Sequence, residues 1–442
     1  MRLPFVLAAP LVLFAATPLN ETYKADANRI IDAALAGNGA YQKLSFLCDR
    51  IGHRLAGSKG LEQAIQWAAA EMRRDGLVNV ATPEVVVPVW VRGAERLTIT
   101  APVQRELAML GLGGSIATPK EGITADVVPV SSFEALEKLG ADRVKGKIVL
   151  YNTPYQGYGR TVAYRVSGAS RAAKLGAVAA LVRSVTPVSL QSAHTGVMQY
   201  TGDAPKIPVA AVTIEGATMI QRLTDSGATV RVRLEMSAES RPDAKSANVI
   251  GEVPGGDRAD EVVVIGGHID SWDVGQGAHD DGAGIVTAME AAAIIQRLGL
   301  KPRRTIRVVL FTNEENGGAG GLAYRDWIGD KVKRHFAAIE MDGGGEKPTG
   351  FGVAAKLLPQ AREIGRLLER IEAGNMTPGG GGADIGPILQ QGVPGLALRT
   401  TGTHYFDWHH TQADTVDKVD PQDLRLNTAA MAVMAYVLAC MP

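Results

Sequence analysis

From residue 247 to the carboxyl terminus, apolar β-type runs alternate with helical periodicity, and this alternation limits the fold more than any other feature. Strand patterns at 261–267, 305–312, 336–341 and 394–399 are separated by helical patterns at 283–298, 320–330 and 357–373, with a closing helix at 423–439. Regular alternation of this kind requires a layered α/β fold: a mostly parallel central sheet with flanking helices. Ligands bind such sheets beyond the carboxyl ends of the strands, so the residues that follow each strand carry the functional information.

Upstream the pattern differs. Residues 26–76 read as helices, with Ile30, Ile31, Ala34 and Leu35 at helical spacing, as are Leu61, Ala64, Trp67, Ala68 and Met72. Residues 80–90 are β-rich and broken by Pro83 and Pro88. A separate region starts near Ala117, with short strands at 124–130, 147–151, 177–182, 207–214 and 229–235 around one helix near 164–175. Its strands carry few acidic residues or histidines, so a non-catalytic module is expected there.

The chain opens with Met1-Arg2 and an apolar run over residues 3–16. This fits a secretory signal and is shorter than the roughly 20 apolar residues of a membrane span. No other segment reads as long and apolar enough to cross a bilayer, and no cysteine lies nearby to carry a lipid. Export to a secreted or periplasmic location is therefore expected, without a membrane anchor in the mature chain. Cys48 and Cys440 are the only cysteines, too few for a disulfide scaffold or a cysteine zinc site. They could form one bridge, but two buried, unpaired thiols are the favoured state. The 46 basic and 46 acidic residues balance, which argues against a nucleic-acid partner.

Every strand of the α/β region leads to a side chain that can bind a metal. The first delivers His268 and Asp270, and the loop beyond it carries Asp280 and Asp281. The second ends in Glu314 and Glu315, the third in Asp342, and the fourth runs on to His409 and His410. Two zinc ions about 3.5–4 Å apart can deprotonate one water between them and polarise a carbonyl. They need histidine and carboxylate ligands, one carboxylate bridging both. His268 with Asp342 can hold one ion and Glu315 with His410 the other, leaving Asp280 to bridge. Asp270, on the same strand face as His268, can fix the imidazole tautomer. Glu314 and Glu315 point to opposite sides of an extended strand, so one can ligate while the other takes the proton from the water. His279, His404 and His409 compete for ligand roles. His279 is expected to point elsewhere, and His404, His53, His194 and His335 read as surface or structural residues. No Gly-x-Ser-x-Gly elbow and no phosphate loop are present, which argues against a hydrolase triad and a nucleotide site. Residues 379–382 are all glycine and read as a mobile active-site loop. Arg399 and this loop are candidates for substrate contact.

The run Gly267-His268-Ile269-Asp270-Ser271-Trp272-Asp273-Val274-Gly275-Gln276-Gly277-Ala278, followed by Asp280-Asp281-Gly282, resembles the secreted di-zinc exopeptidases of the aminopeptidase and glutamate carboxypeptidase type. Thr312-Asn313-Glu314-Glu315 and His410-Thr411-Gln412-Ala413-Asp414-Thr415 resemble two further signatures of that family. Arg54-Leu55-Ala56-Gly57-Ser58 and Val89-Trp90-Val91-Arg92-Gly93 resemble its plasma glutamate carboxypeptidase branch. The resemblance implies a signal peptide at 1–20, a peptidase domain at 21–116 and 247–442, and an inserted β-rich protease-associated domain at 117–246. It also implies two Zn²⁺ per chain, held as above, with Glu314 as the base and His410 rather than His409 as the ligand. Some relatives have an oxyanion-stabilising tyrosine where this chain has His409, which makes His409 a candidate oxyanion donor. A cis peptide at Asp280–Asp281 is implied as well. Small peptides are the implied substrates, and a homodimer is compatible with the resemblance.

The expected function is hydrolysis of small peptides, carboxypeptidase- or dipeptidase-like, by a metal-bridged hydroxide with Glu314 as base. An aminopeptidase, an aminoacylase or a glutaminyl cyclase on the same scaffold is the alternative. An inactive receptor is disfavoured, because all five ligand candidates and the base are present.

Overall fold

The computed structural model describes residues 18–442. The expected signal segment falls almost wholly on residues 1–17, outside the described residues. The alternating region forms an eight-stranded sheet in the order Val78–Ala81, Val249–Val253, Arg304–Phe311, Arg258–His268, His335–Glu340, Gly395–Thr400, Pro348–Val353, Asn375–Pro378. The four strands from Arg304–Phe311 to Gly395–Thr400 run parallel. Val249–Val253 and Pro348–Val353 flank them antiparallel. Neither flanking strand shows in the sequence pattern: Val249–Val253 is short, and Pro348–Val353 places glycine at positions 350 and 352.

Successive residues of a strand face opposite sides of a sheet. Val263, Ile265, Ile306 and Val308 therefore join one core with helices Ala283–Arg297 and Pro421–Cys440. Val262, Val264, Val309 and Phe311 join the other with helix Ala319–Ile328. Burial on both faces explains why 262–265 is a continuous apolar run rather than an alternating one. The chain leaves Arg258–His268 for the neighbour on one side and then crosses back to the neighbour on the other. The crevice at the carboxyl ends thus opens beside His268. Helix Pro421–Cys440 is long and apolar enough to cross a membrane, which corrects the reading that no such segment follows the amino terminus. Its apolar surface is used by the core, where residues 427–440 are buried.

A second eight-stranded sheet has the order Arg105–Leu107, Glu95–Ala101, Arg231–Met236, Ile123–Val130, Ile148–Tyr151, Ala179–Arg183, Val209–Val212, Met109–Gly111. It begins ahead of residue 117, because Leu97 and Ile99 share a buried core with Val232 and Leu234. Three helices accompany it, Phe133–Val144, Tyr158–Lys174 and Ile214–Asp225, where the pattern gave one. This unit is therefore α/β in its own right rather than simply β-rich. A ribbon of Glu84–Val91 paired with Glu239–Ala247 leads into and out of it.

Cys48 and Cys440 are buried and unpaired. The amino-terminal helices are tied to the core by Lys43, whose Nζ lies 2.6 Å from Glu290 Oε2 and 3.0 Å from Asp75 Oδ2. Lys43 and Glu290 are only 7% and 5% exposed. Deleting one partner of a buried pair costs about 3–5 kcal/mol when the other charge is left uncompensated. Arg297, 2.5 Å from the other Glu290 oxygen, keeps part of that charge paired, so Lys43→Met is expected to lose somewhat less than that in unfolding free energy by urea titration, whereas Lys245→Met, at an exposed pair with Glu84, should lose under about 1 kcal/mol.

Candidate metal centre

The strand ends bring four donor side chains together around a fifth, Asp280. Its Oδ1 lies 3.2 Å from His268 Nε2, and its Oδ2 lies 3.2 Å from His410 Nε2. His268 Nε2 is 3.8 Å from Asp342 Oδ1, and His410 Nε2 is 3.1 Å from Glu315 Oε2. Two ligands on one tetrahedral zinc, at bonds of about 2.0–2.1 Å, sit about 3.3 Å apart. The spacings match shared coordination, with one oxygen of Asp280 turned to each histidine. Asp280 Oδ2 and Glu315 Oε1 are buried with no hydrogen-bond partner among the described residues. Such atoms are costly unless a cation or a donor meets them.

The electrostatics ask for positive charge. Burial, together with Asp342, Glu315 and Asp280, pushes the Glu314 carboxyl up to about 8. Burial and Asp280 push Glu315 up to about 7. Burial opposes charge on His410, yet Glu315 and Asp280 push it up to about 10. His268 is likewise raised, against burial, by Asp270, Asp280 and Asp342. Metal cations would supply the charge these carboxylates draw from the imidazoles. The residues present therefore fit a metal pair.

Both histidines are oriented alike. His268 Nδ1 lies 3.0 Å from the Asp270 carbonyl, and His410 Nδ1 lies 3.2 Å from the Thr195 carbonyl. Each Nδ1–H is thereby engaged and each Nε2 is left free to ligate. Asp270 holds His268 through its main-chain carbonyl, and its carboxylate, 3.7 Å from that ring, favours the charged imidazole. The carboxylate also accepts the backbone N–H groups of Glu314 and Glu315, at 3.1 and 3.3 Å. These two glutamates do not sit on an extended strand, as the sequence suggested. Asn313 has φ of 71°, which turns the chain out of the sheet and puts both in a turn.

The loop that carries Asp280 is clamped from two sides. Arg54, fully buried, donates to the carbonyls of Ile269, Gln276 and Gly277 at 2.8, 2.7 and 3.0 Å. Asp414 accepts from the backbone N–H groups of Ala278, His279 and Asp280 at 3.1, 2.7 and 3.2 Å. The Asp280–Asp281 peptide is cis, as the resemblance implied. Asp281 accepts from the N–H groups of His268 and Gly284. Glycine is required beside it, since a Cβ on Gly267 would lie 2.0 Å from the Asp281 carboxylate. Arg54 and Asp414 stood inside sequence motifs, but nothing in their spacing gave their role.

The other histidines divide. His279 faces away from the cluster, accepting from Gly345 N–H at 3.0 Å while Nε2 meets the Lys418 carbonyl at 3.1 Å. His404 pairs with Asp407 at the surface, and His335 with Tyr324. His409 is stacked on His410 with ring centroids 3.5 Å apart, and its Nε2 is 3.6 Å from Asp280 Oδ2. Burial and the neighbouring His410 hold its imidazole well below its ordinary value. His194, read from sequence as remote, is a buried neighbour of His409 and His410, and burial pushes it down to about 3.

The second unit thus contributes to the centre, although its strands are poor in ionisable residues. Thr195, on one of its loops, receives His410 Nδ1 and donates its own N–H to the His410 carbonyl at 3.0 Å. Tyr158 and Arg165, from helix Tyr158–Lys174, line the same cavity of about 330 Å³ as Glu314, Asp342 and His409. Arg399, Gly381 and Gly382 line an adjoining cavity of about 350 Å³ that also reaches Asp342.

Residues 248–435 match Peptidase family M28. Carboxypeptidase Q of Mus musculus is 42% identical over 424 residues, covering 95% of this chain and 90% of its own. A solved peptidase M28 precursor from Shewanella amazonensis superposes with a TM-score of 0.91 at 35% identity, over 96% of this chain and 98% of its own. A zinc aminopeptidase from Bacillus subtilis shares the fold, with a TM-score of 0.68 at 22% identity over 91% and 95% of the two chains.

The clamp on the Asp280 loop predicts a metal-affinity phenotype remote from the ligands. Arg54→Met should weaken zinc binding about 10–100-fold in a metal-buffered titration, as loss of a ligand-orienting contact does. Unchanged affinity would show that the loop holds its shape without Arg54.

Proposed function

The chain belongs to peptidase family M28 and is a metallo-exopeptidase; on that premise we propose that it removes terminal residues from small peptides, in the manner of a carboxypeptidase or dipeptidase, with two zinc ions. The observation that carries this reading is Asp280, with one carboxylate oxygen 3.2 Å from each of two oriented histidines. His268 and Asp342 would hold one ion, Glu315 and His410 the other, and Asp280 both. The choice of His410 over His409 is supported by the closer approach of His410 to Asp280 and Glu315. When bound, zinc supplies a more acidic water and a polarised substrate carbonyl.

The chain's own residues do the rest. Glu314 sits in the cavity beside Asp280 and Asp342 without being needed as a ligand. A buried carboxyl pushed towards neutrality is suited to taking a proton and returning it. Glu314 takes the proton of the attacking water as its oxygen bonds to the scissile carbonyl carbon. It then gives that proton to the nitrogen as the C–N bond breaks, and a free amine leaves. His409, within the same cavity, is placed to donate an N–H to the oxygen that gains charge. The extent of the likeness to carboxypeptidase Q supports the carboxypeptidase or dipeptidase type. The second sheet fits an inserted protease-associated domain. Export fits the apolar start of the sequence.

Glu314→Gln should retain both zinc ions by elemental analysis and lose about 10²–10⁴ of peptide turnover, the span that general acid–base catalysis contributes. Full activity would assign the base elsewhere. His409→Ala should lower kcat about 10²-fold with metal content unchanged. Loss of zinc in that variant would make His409 a ligand instead.

A further inference from the structure

The two histidines of the centre are oriented from different places. The carbonyl that engages His268 Nδ1 belongs to Asp270, two residues along the same segment of chain. The carbonyl that engages His410 Nδ1 belongs to Thr195, 215 residues away on a loop of the second unit. That contact is doubled, because the Thr195 N–H donates to the His410 carbonyl at 3.0 Å. His410 has φ of 63°, a backbone angle that residues with a Cβ rarely adopt and that surrounding contacts must impose. The polar contacts of His268 and its approach to Asp342 stay within the α/β unit.

Thr195 is itself held in place. It is fully buried, and its hydroxyl donates to the Gly111 carbonyl at 2.8 Å while accepting Arg92 Nη2 at 3.2 Å. Arg92 in turn donates to both carboxylate oxygens of Asp273, at 2.9 and 2.6 Å. A bidentate arginine–carboxylate pair fixes geometry as well as charge. Asp273 lies in the α/β unit, between His268 and Asp280 in sequence. A circuit therefore runs from the Asp280 loop through Asp273, Arg92 and Thr195 to His410, and it crosses between the units twice. Trp272 packs against both sides of the crossing: its ring centroid is 5.6 Å from that of His410, and a Cβ on Gly113 of the second unit would lie 2.1 Å from its ring.

We propose that Thr195 is a positioning residue for His410, and that filling of the Glu315–His410 metal site is thereby linked to docking of the second unit, whereas filling of the His268–Asp342 site is not. This rests on the two-ion reading given under the proposed function and deepens it, because it names what controls one of the two sites. Such linkage is reciprocal: loosening the docked unit weakens that site by the factor by which an ion there tightens the docking. The hydroxyl of Thr195 is the accessible handle on it, since the main-chain groups that meet His410 hold their place through that side chain.

The test is a zinc-buffered titration of the full chain, with anomalous maps at the zinc edge, from crystals held at intermediate free zinc, assigning each affinity to its site. Thr195→Val keeps the side-chain volume and removes the hydroxyl. It should weaken the Glu315–His410 site about 10–100-fold, as loss of a ligand-orienting contact does, and change the other by less than about threefold. Thr195→Ser keeps the hydroxyl and should bind within about threefold of the wild type at both sites. In the wild type, amide hydrogen exchange over 193–199 should slow about tenfold on zinc saturation. Equal losses at the two sites in Thr195→Val, a loss confined to the His268–Asp342 site, or no loss at either would overturn the assignment. So would a Thr195→Ser that falls as far as Thr195→Val, which is the mark of a packing role. If Thr195→Val does not fold, the wild-type exchange decides alone, and rates unchanged by zinc would overturn the linkage. Fewer than two zinc ions in the saturated wild type would overturn the two-ion reading itself.

Discussion

A buried carboxylate shared between two histidines organises this molecule. Asp280 is flanked by His268 and His410, and Glu314, Glu315 and Asp342 crowd around them at the wall of one cavity. So many acids cannot stay charged in such surroundings without cations, and the raised proton affinities of Glu314 and Glu315 express that conflict. Two divalent ions, as proposed above, would resolve it, turning a set of mutually repelling groups into ligands. The remaining features of the region hold those groups in place. The Arg54 and Asp414 clamps fix the loop, Asp270 fixes the turn that carries both glutamates, and two main-chain carbonyls fix the imidazoles.

The sheet explains why the donors converge. Parallel strands end at one edge, and the reversal of strand order around Arg258–His268 opens a crevice at that edge. His268 ends the central strand, Glu315 and Asp342 follow its two neighbours, and His410 follows Gly395–Thr400, the next strand beyond. Both faces of these strands are buried, so the strand ends are rigid supports. The second unit closes the cleft from the other side, where Thr195 and Arg165 meet His410. Its contribution comes from a loop and a helix rather than from its strands.

Much of this was legible in the sequence because strand ends are where an α/β fold exposes its chemistry. Histidine or acid at each one cannot be explained by packing. Glycine told the same story: eighteen of the 51 fall in 266–284, 317–321, 343–345 and 379–386. Gly267 makes room for Asp281, and a Cβ on Gly382 would lie 2.0 Å from the Glu340 carboxylate. What escaped was whatever depends on long-range contact or on a single backbone angle. The turn at Asn313 hid the true placement of Glu314 and Glu315, and no local pattern announces a residue at positive φ. Arg54 and Asp414 act across more than 130 residues of chain on the Asp280 loop. His194 and Arg165 reach the centre only because the two units pack together. The start of the second sheet was missed for the same reason, since Glu95–Ala101 is defined by its pairing with Arg231–Met236.

The central claim is that Asp280 joins two metal ions rather than serving one. Anomalous diffraction at the zinc edge, from crystals of the zinc-loaded protein, tests it directly. The account predicts two peaks about 3.5–4 Å apart, one between His268 and Asp342 and one between Glu315 and His410, with an oxygen of Asp280 on each. A single peak, or a second peak held by His409 in place of His410, would contradict it.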